Sequence, residues 1–203
     1  MLLPPFLFPC INYMRMVCGN SNVFADAEAP FQRQTHRNRY EVCTANGIIK
    51  LVVPIHHSAR KQQGLKFRDV KIAYDHPWQM QHIRTLKSAY NSASYFAFYE
   101  EELNAILTKN HVFLLDLNLE AMDFLTRHLS LNPLLLFSGN REDEKKIYDE
   151  MIDNPDAGKD LSYFQVFSER HGFVPNLSTL DLLFNLGPVE ARRILTENPI
   201  PLT

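Results

Sequence analysis

The sequence predicts an α/β fold in which a partly parallel, Rossmann-like sheet and an antiparallel hairpin are flanked by helices. The opening 26 residues alternate short apolar runs with one short helical pattern, which is typical of a parallel strand-helix-strand unit. The dipeptide Asn46-Gly47 separates two strand-like runs and predicts a hairpin. Apolar residues at helical spacing through the middle and tail predict the helices that cover both.

The first elements are short. Residues 2–8 are predicted to be a buried strand interrupted by Pro4-Pro5, and residues 23–25 a second strand. Between them, residues 11–17 are predicted to form a helix that stops at Gly19-Asn20. Two strands joined by one helix favour parallel pairing.

The hairpin is predicted from its turn and its return strand. Asn46-Gly47 can place both residues at positive φ, as a two-residue hairpin turn requires. The β-branched run at 51–55 contains Pro54, which confines it to a strand edge or end. Residues 56–66 are polar and predict a loop or lid, and the alternation at 67–73 predicts another strand.

Helical spacing dominates the rest of the chain. Trp78, His82, Leu86 and Tyr90 share one helix face, and similar patterns follow in residues 96–106 and 117–129. A buried strand at 134–137, a charged helix at 141–148 and a loop at 154–158 come next. The tail is predicted to carry a capping box at Ser178 and Asp181, a helix end at Gly187 and a new start at Pro188.

The composition of the chain limits the classes of function that we expect. The 203 residues suit one domain, 1–203, with 188–203 as a C-terminal extension. A net charge of −2 argues against broad nucleic-acid binding. Three cysteines without a Cys-x-x-Cys motif favour a reduced, cytoplasmic setting. No apolar run approaches the roughly 20 residues of a transmembrane segment, and the opening residues lack the basic leader of a signal peptide.

Arg37, Asn38 and Arg39 are the first candidate ligand-binding residues. In an extended segment the two arginines point to the same side. Their guanidinium groups suit an anion, such as a nucleotide-sugar pyrophosphate or a substrate carboxylate. The alternative is an internal network in which Asp26 or Glu28 neutralises them.

His82 is the candidate catalytic base, because it shares an apolar helix face and histidine titrates near neutral pH. The alternative is a core histidine bonded to a backbone carbonyl. No Cys, His or Asp cluster has zinc spacing, so we expect no metal. The capping box explains Ser178 and Asp181 without chemistry, and Cys43 is expected to be a packing residue. Trp78, Tyr90, Asn176 and Asn185 complete the candidate ligand-binding set.

Several segments together resemble the WbqC-like protein family. They are Phe8-Pro9-Cys10-Ile11-Asn12-Tyr13; Phe31-Gln32-Arg33 with Arg37-Asn38-Arg39, Asn46-Gly47 and Leu51-Val52-Val53-Pro54-Ile55; Trp78, His82 and Tyr90 with Tyr95-Phe96; and Asn176-Leu177-Ser178 with Asp181-Leu182-Leu183-Phe184-Asn185. Their order and spacing hold from about residue 6 to 187. Residues 138–162 depart from the family pattern, since they are short and charged where a longer, glycine-containing segment is expected.

The resemblance implies a bacterial protein of surface-polysaccharide biosynthesis, including O-antigen. It implies a transferase that attaches glycine or another acyl group to an amino sugar, using a nucleotide-sugar or acyl-donor small molecule. A non-enzymatic protein that binds an anionic ligand or partner is the alternative function. The sequence names no cofactor and no oligomeric state. The opening is also similar to nucleotidyltransferase-like Rossmann folds, but their histidine pair and glycine are absent between Phe8 and Met16.

Overall fold

The computed structural model describes residues 2–20, 23–32, 35–56, 64–132, 135–137 and 161–200. It is a mixed helix and strand fold with a small parallel sheet, an antiparallel pair and flanking helices. The strands are β1 (Leu2–Leu3), β2 (Phe24–Asp26), β3 (Arg39–Thr44), β4 (Gly47–Val52) and β5 (Leu135–Phe137). The helices are α1 (Ile11–Gly19), α2 (Trp78–Tyr90), α3 (Phe96–Thr108), α4 (Leu114–His128), α5 (Ser168–His171) and α6 (Thr179–Glu197), with a 3₁₀ turn at Phe67–Asp69.

The parallel sheet has the order β1-β2-β5, with Leu3 opposite Ala25 and Ala25 opposite Leu136. Helix α1 joins β1 to β2, which confirms the parallel strand-helix-strand opening. Strand β1 has two residues because Pro4-Pro5 lacks the N–H groups that would continue the ladder. The three described parallel strands follow chain order across the sheet. The reversal of strand order that marks a Rossmann sheet is therefore not seen among them.

Strands β3 and β4 form the predicted hairpin, in register from Arg39 opposite Val52 to Thr44 opposite Gly47. The prediction that Asn46 and Gly47 both have positive φ is wrong. The turn residues are Ala45 and Asn46, and only Gly47 of the predicted pair has positive φ, at 101°. The Thr44 hydroxyl donates to the Gly47 carbonyl at 3.0 Å, which closes the turn without a left-handed asparagine.

The strand predicted at 67–73 is also wrong. Its first residues form the 3₁₀ turn Phe67–Asp69, because the N–H groups of Phe67 and Arg68 donate to the carbonyls of Ala29 and Ala27. Lys71 and Ile72 make only isolated bridges, to Phe113 and Ile55. Alternating side chains therefore did not produce a strand here, since the backbone donors were used by the loop after β2.

The three middle helices are confirmed, and their apolar faces form much of the core. Tyr90, Phe96, Tyr99 and Phe124 meet Phe184 of α6 or one another in edge and stacked ring contacts. Among the described residues, no helix combines the length and the apolar character that crossing a membrane requires.

Helix α6 is broken at Gly187, as the sequence predicts. Gly187 has φ of 77° and ψ of 175°, and the chain resumes its helix from Pro188. A Cβ at this position would lie 2.6 Å from the Tyr95 ring, so both the backbone angle and the space require glycine. The predicted helix at 141–148, the predicted loop at 154–158 and residues 57–63 of the predicted lid lie outside the described residues.

Candidate functional site

The turn that precedes the hairpin lies against the loop that leaves β1. The Leu7 N–H donates to the His36 carbonyl at 3.2 Å. From α4, Asn118 Nδ2 donates to the carbonyls of Pro5 and Arg37 at 2.8 and 2.7 Å. We name Arg37, Asn38, Arg39 and Asn118 the hairpin entrance, which packs against the loop that follows β1.

Arg37 is a buried arginine at this entrance. One of its terminal nitrogens donates to Thr35 Oγ1 at 3.1 Å, and its guanidinium lies 5.8 Å from the centroid of the Phe6 ring. Residues 35–38 form a turn and β3 begins only at Arg39. Strand alternation therefore does not place Arg37 and Arg39 on a common face, and that part of the prediction is wrong.

Three polar atoms of the hairpin entrance are buried without a hydrogen-bond partner in the part of the chain that the structure describes. They are Arg39 Nε, Asn38 Oδ1 and Asn118 Oδ1. The other amide atom of Asn38 is used, because Nδ2 donates to the Val53 carbonyl at 3.0 Å. Such atoms are rare in folded proteins, since each loses its hydration without replacement. The hairpin entrance is therefore a candidate binding site.

The structure pairs Glu28 with other residues, so the alternative in which Glu28 neutralises the arginines of the hairpin entrance is not observed. Glu28 forms ion pairs with Lys66 and Arg68, and the bond to Lys66 is 2.6 Å long. These contacts lower the pKa of the Glu28 carboxyl, chiefly through the Lys66 hydrogen bond. The Asp26 carboxylate accepts the Glu28 backbone N–H at 2.9 Å. The negative charge of Glu28 is thus neutralised by Lys66 and Arg68, at the 3₁₀ turn.

His82 is a buried residue of α2 that contacts both strands of the hairpin. Its Nε2 lies 3.2 Å from the Val52 carbonyl, and its Nδ1 lies 3.2 Å from the Tyr40 hydroxyl. A carbonyl only accepts, so Nε2 carries the proton and Nδ1 accepts from Tyr40. Burial lowers the pKa of His82 to about 4. This arrangement matches the alternative of a core histidine, and the role of His82 as a base stays a prediction.

Trp78 packs edge-on against His82, with ring centroids 5.1 Å apart. Its indole Nε1 is buried without a hydrogen-bond partner among the described residues. Tyr90 follows eight residues after His82 on the same helix, about 12 Å further along its axis. Helix α2 therefore runs from the strands at the hairpin entrance to a second polar group of residues.

That second group surrounds Asp181, and we name Asp181, Tyr90, Tyr163, Gln165 and Asn185 the Asp181 cluster. Asp181 is almost fully buried. Its Oδ2 accepts from the Tyr163 hydroxyl at 2.6 Å and from Gln165 Nε2 at 3.0 Å. Gln165 also exchanges two hydrogen bonds with the backbone of Val174, at 2.8 and 2.9 Å. The carboxyl thus links the start of α6 to the chain at 163–174.

The capping-box role predicted for Asp181 is therefore wrong, although Ser178 does cap the helix. Ser178 Oγ accepts the Leu180 N–H at 3.3 Å. The backbone N–H of Ser178, which Asp181 would have to accept, donates instead to the Glu41 carbonyl of β3 at 3.0 Å. With that donor taken, the Asp181 carboxylate turns into the core.

The electrostatics of the Asp181 cluster are dominated by burial. Burial raises the pKa of Asp181, and the side chains of Tyr163, Tyr90, Gln165 and Asn185 oppose that rise. Burial and the Asp181 carboxyl also hold the pKa of Tyr90 well above its usual range. The same two causes, burial first, raise the pKa of the nearby Cys43 thiol. A carboxyl in such surroundings is a recurrent feature of functional sites.

Two atoms of the Asp181 cluster have no hydrogen-bond partner in the described residues, namely the Tyr90 hydroxyl and Asn185 Oδ1. The Tyr90 hydroxyl lies near the Asp181 carboxyl and lowers its pKa, although it forms no hydrogen bond of ordinary geometry among the described residues. Asn185 Nδ2 donates to the Asp181 backbone carbonyl at 2.8 Å, which leaves its oxygen unused. The structure thus brings together two of the predicted ligand-binding residues, Tyr90 and Asn185.

Asn176 lies apart from this pair. Its Oδ1 accepts the Asn12 N–H at 2.9 Å, in the first turn of α1, and its φ is 55°. Asn176 therefore caps a helix that is distant in sequence. The predicted residues accordingly divide among the hairpin entrance, the Trp78–His82 pair, the Asp181 cluster and this cap.

Sequence reasoning missed four residues of these sites: Tyr163, Gln165, Asn118 and Asp181. Asn118 lies on the apolar face of α4, and Asp181 lies on the apolar face of α6. A polar residue at a helical position otherwise filled by Leu, Ala or Phe is the signal that marks both. For Asp181, that signal was hidden by the capping-box pattern.

A family model described as the WbqC-like protein family matches residues 4–153, which is more than half of the chain. The chain belongs to the WbqC-like protein family. The resemblance predicted from the sequence is thereby confirmed. A search of the curated proteins and a search of the solved structures each found no significant match.

The match to the WbqC-like family includes the hairpin entrance, His82 and Tyr90. Asp181, Tyr163, Gln165 and Asn185 lie beyond the matched range. In the described residues of this WbqC-like protein, no group of three or more His, Cys, Asp or Glu side chains is placed to hold a metal ion.

Proposed function

We propose that this WbqC-like protein is a cytoplasmic transferase of bacterial surface-polysaccharide biosynthesis, including O-antigen. It attaches glycine or another acyl group to an amino sugar, as the family resemblance implies. The observation that carries the proposal is Arg39 Nε, a buried donor atom of a partly exposed arginine, which has no acceptor among the described residues. We assign it to an anionic oxygen of the donor substrate.

Charge and hydrogen bonding at the hairpin entrance support this assignment. An unpaired buried donor costs roughly 1–3 kcal/mol, and more when the group is charged, so an anion that pairs with it binds favourably. Arg37 adds a second positive charge two residues upstream. The oxygens of Asn38 and Asn118 are acceptors, which suits hydroxyl or N–H groups on the same ligand. A nucleotide sugar or an acyl donor carries both kinds of group.

The chemistry requires three changes. The amine nitrogen attacks the acyl carbonyl carbon, and a nitrogen–carbon bond forms. The bond from that carbon to the leaving group breaks, and the leaving group keeps the electron pair. The amine gives up a proton to a base. His82 is the base predicted from the sequence, and a His82→Gln variant that keeps its fold and its full turnover would remove this role.

A thermal-shift screen tests the proposal, because a ligand that binds only the folded state raises its apparent stability. The panel contains nucleotide sugars, acyl donors and amino acids. We expect anionic donors to raise the Tm of the wild type and of Arg84→Met, a control at an exposed arginine of α2. Arg39→Met should lose the shift. No response across the panel would contradict the transferase proposal.

The second candidate is a non-enzymatic protein that uses the hairpin entrance to bind an anionic ligand or partner. The observation that favours it is the use of both His82 nitrogens in core hydrogen bonds. Incubating the protein with an anionic donor found in the screen and an amino-sugar acceptor separates the two. Mass spectrometry shows an acylated acceptor for a transferase and unchanged reactants for a binding protein.

A further inference from the structure

The Asp181 cluster contains more hydrogen-bonding capacity than the protein itself uses. The Tyr90 hydroxyl and Asn185 Oδ1 are buried and have no partner among the described residues, and both belong to side chains less than a tenth exposed. Tyr163 and Gln165 satisfy one oxygen of the Asp181 carboxyl. Two unused polar atoms beside a single buried carboxyl are hard to explain by folding alone, since each costs stability.

The unused atoms specify the chemistry of an occupant. Asn185 Oδ1 accepts hydrogen bonds and cannot donate them. The same holds for both oxygens of the Asp181 carboxylate in its ionised form. The Tyr90 hydroxyl accepts as well as donates. The occupant must therefore supply several N–H or O–H donors. Because Asp181 is the acidic group of the cluster, with Tyr90, Tyr163 and Cys43 as its titratable neighbours, a positive charge on the occupant is favoured.

We propose that the Asp181 cluster binds the ammonium group of a small primary amine. The three N–H donors of the ammonium pair with the Asp181 carboxylate, Asn185 Oδ1 and the Tyr90 hydroxyl. Tyr163 is a partly exposed member of the cluster, so in this proposal the amine enters past its ring. The inference goes beyond the proposed function and does not depend on it, because a binding protein without activity could hold an amine in the same way.

Simple amines test the site. Methylammonium and ethanolamine are titrated against the full chain, with tetramethylammonium and ethylene glycol as controls that lack N–H donors or positive charge. Binding is followed by ligand-observed NMR and by thermal shift. We expect both amines to bind the wild type and to raise its Tm, while both controls leave it unchanged. Equal responses to the controls, or no response to either amine, would overturn the proposal and leave ordered water as the occupant.

Three variants locate the binding. Asp181→Asn should abolish the response, and Asp75→Asn, which makes the same change at an exposed position, should retain it. Asp181→Asn could unfold the protein, so Tyr90→Phe is the decisive variant. It removes a hydroxyl without a hydrogen bond of ordinary geometry, and we therefore expect the fold to persist. We expect Tyr90→Phe to weaken amine affinity about 10-fold, as the loss of one good hydrogen bond to the ligand does. Unchanged affinity in a folded Tyr90→Phe protein would contradict the site.

Discussion

The Tyr163 hydroxyl donates a 2.6 Å hydrogen bond to Oδ2 of Asp181, a carboxyl that is almost wholly enclosed by protein. Tyr163 lies two residues after Leu161, where the described chain resumes, and Asp181 lies in the first turn of α6. The bond therefore fastens residues 163–174 to the helix that also packs on α1. The stability of this attachment depends on the protonation of one carboxyl.

Tyr163→Phe should destabilise the protein in a pH-dependent way. The folded pKa of Asp181 is raised by burial, so its stabilising contribution is present below its unfolded pKa and is lost as pH rises through the folded value. Tyr163 limits that loss by bonding the ionised form. We expect Tyr163→Phe to lower the unfolding free energy by about 2 kcal/mol at neutral pH and by less near pH 4.

Urea unfolding at both pH values measures this difference. Tyr74→Phe is the matched control, because it removes a hydroxyl that donates at 2.8 Å to the neutral carbonyl of His111. Its cost should be equal at the two pH values. A Tyr163→Phe cost that is also independent of pH would show that Asp181 does not ionise in this range.

Tyr90→Phe should not destabilise the protein. The Tyr90 hydroxyl is buried without a hydrogen bond of ordinary geometry, so its removal takes away a desolvation cost that outweighs its weak support of the Asp181 carboxylate, and the ring stays packed against Phe184. We expect the unfolding free energy to rise by about 1 kcal/mol. Tyr40→Phe, which removes a hydroxyl bonded to His82, should instead lower it. A loss of stability in Tyr90→Phe would mean that its hydroxyl already has a partner.

Acidification should weaken the fold through His82. Its folded pKa of about 4 lies below the ordinary 6.5, so its contribution is present above 6.5 and is lost as pH falls towards 4. That loss is about 3 kcal/mol for a shift of this size. His82→Gln should flatten the dependence of unfolding free energy on pH between 7 and 4. His76→Asn, at an exposed histidine, should leave the wild-type slope in place.

Gly187→Ala should be more harmful than Gly172→Ala. Both glycines have positive φ, at 77° and 71°, with ψ near 180°, so both variants carry a backbone cost of roughly 1–3 kcal/mol. Only at Gly187 does the new methyl group meet another residue, the Tyr95 ring at 2.6 Å, whereas nothing lies within 4 Å at Gly172. The difference between the two unfolding free energies measures the Tyr95 contact. Equal losses would show that the ring moves aside without cost.

Much of the fold could be predicted because its signals are local. Helical spacing predicts α2, α3 and α4, and Gly187-Pro188 predicts the break in α6. The errors come from partners that are distant in sequence. Ala27 and Ala29 take the backbone donors of the predicted strand at 67–73, and Glu41 takes the donor that Asp181 needs for a capping box.

The candidate sites could be predicted only in part, because they too depend on partners that are distant in sequence. The basic residues of the hairpin entrance are visible in the sequence, but the unused oxygen of Asn118 becomes meaningful only when α4 meets the loop after β1. The pairing of Tyr90 with Asn185 around Asp181 depends on how α2 packs beside α6. No local pattern encodes that packing.

The affinity of the hairpin entrance for an anionic donor is the most direct test of the proposed anion site. Isothermal titration calorimetry compares this affinity among the wild type, Arg39→Met and Arg84→Met. The ligand is the nucleotide sugar or acyl donor that gives the largest thermal shift. We expect Arg39→Met to bind about 10- to 100-fold more weakly, as the loss of one charged hydrogen bond does, and Arg84→Met to match the wild type. Equal affinities of the wild type and a folded Arg39→Met protein would contradict the proposed role of Arg39 in anion binding.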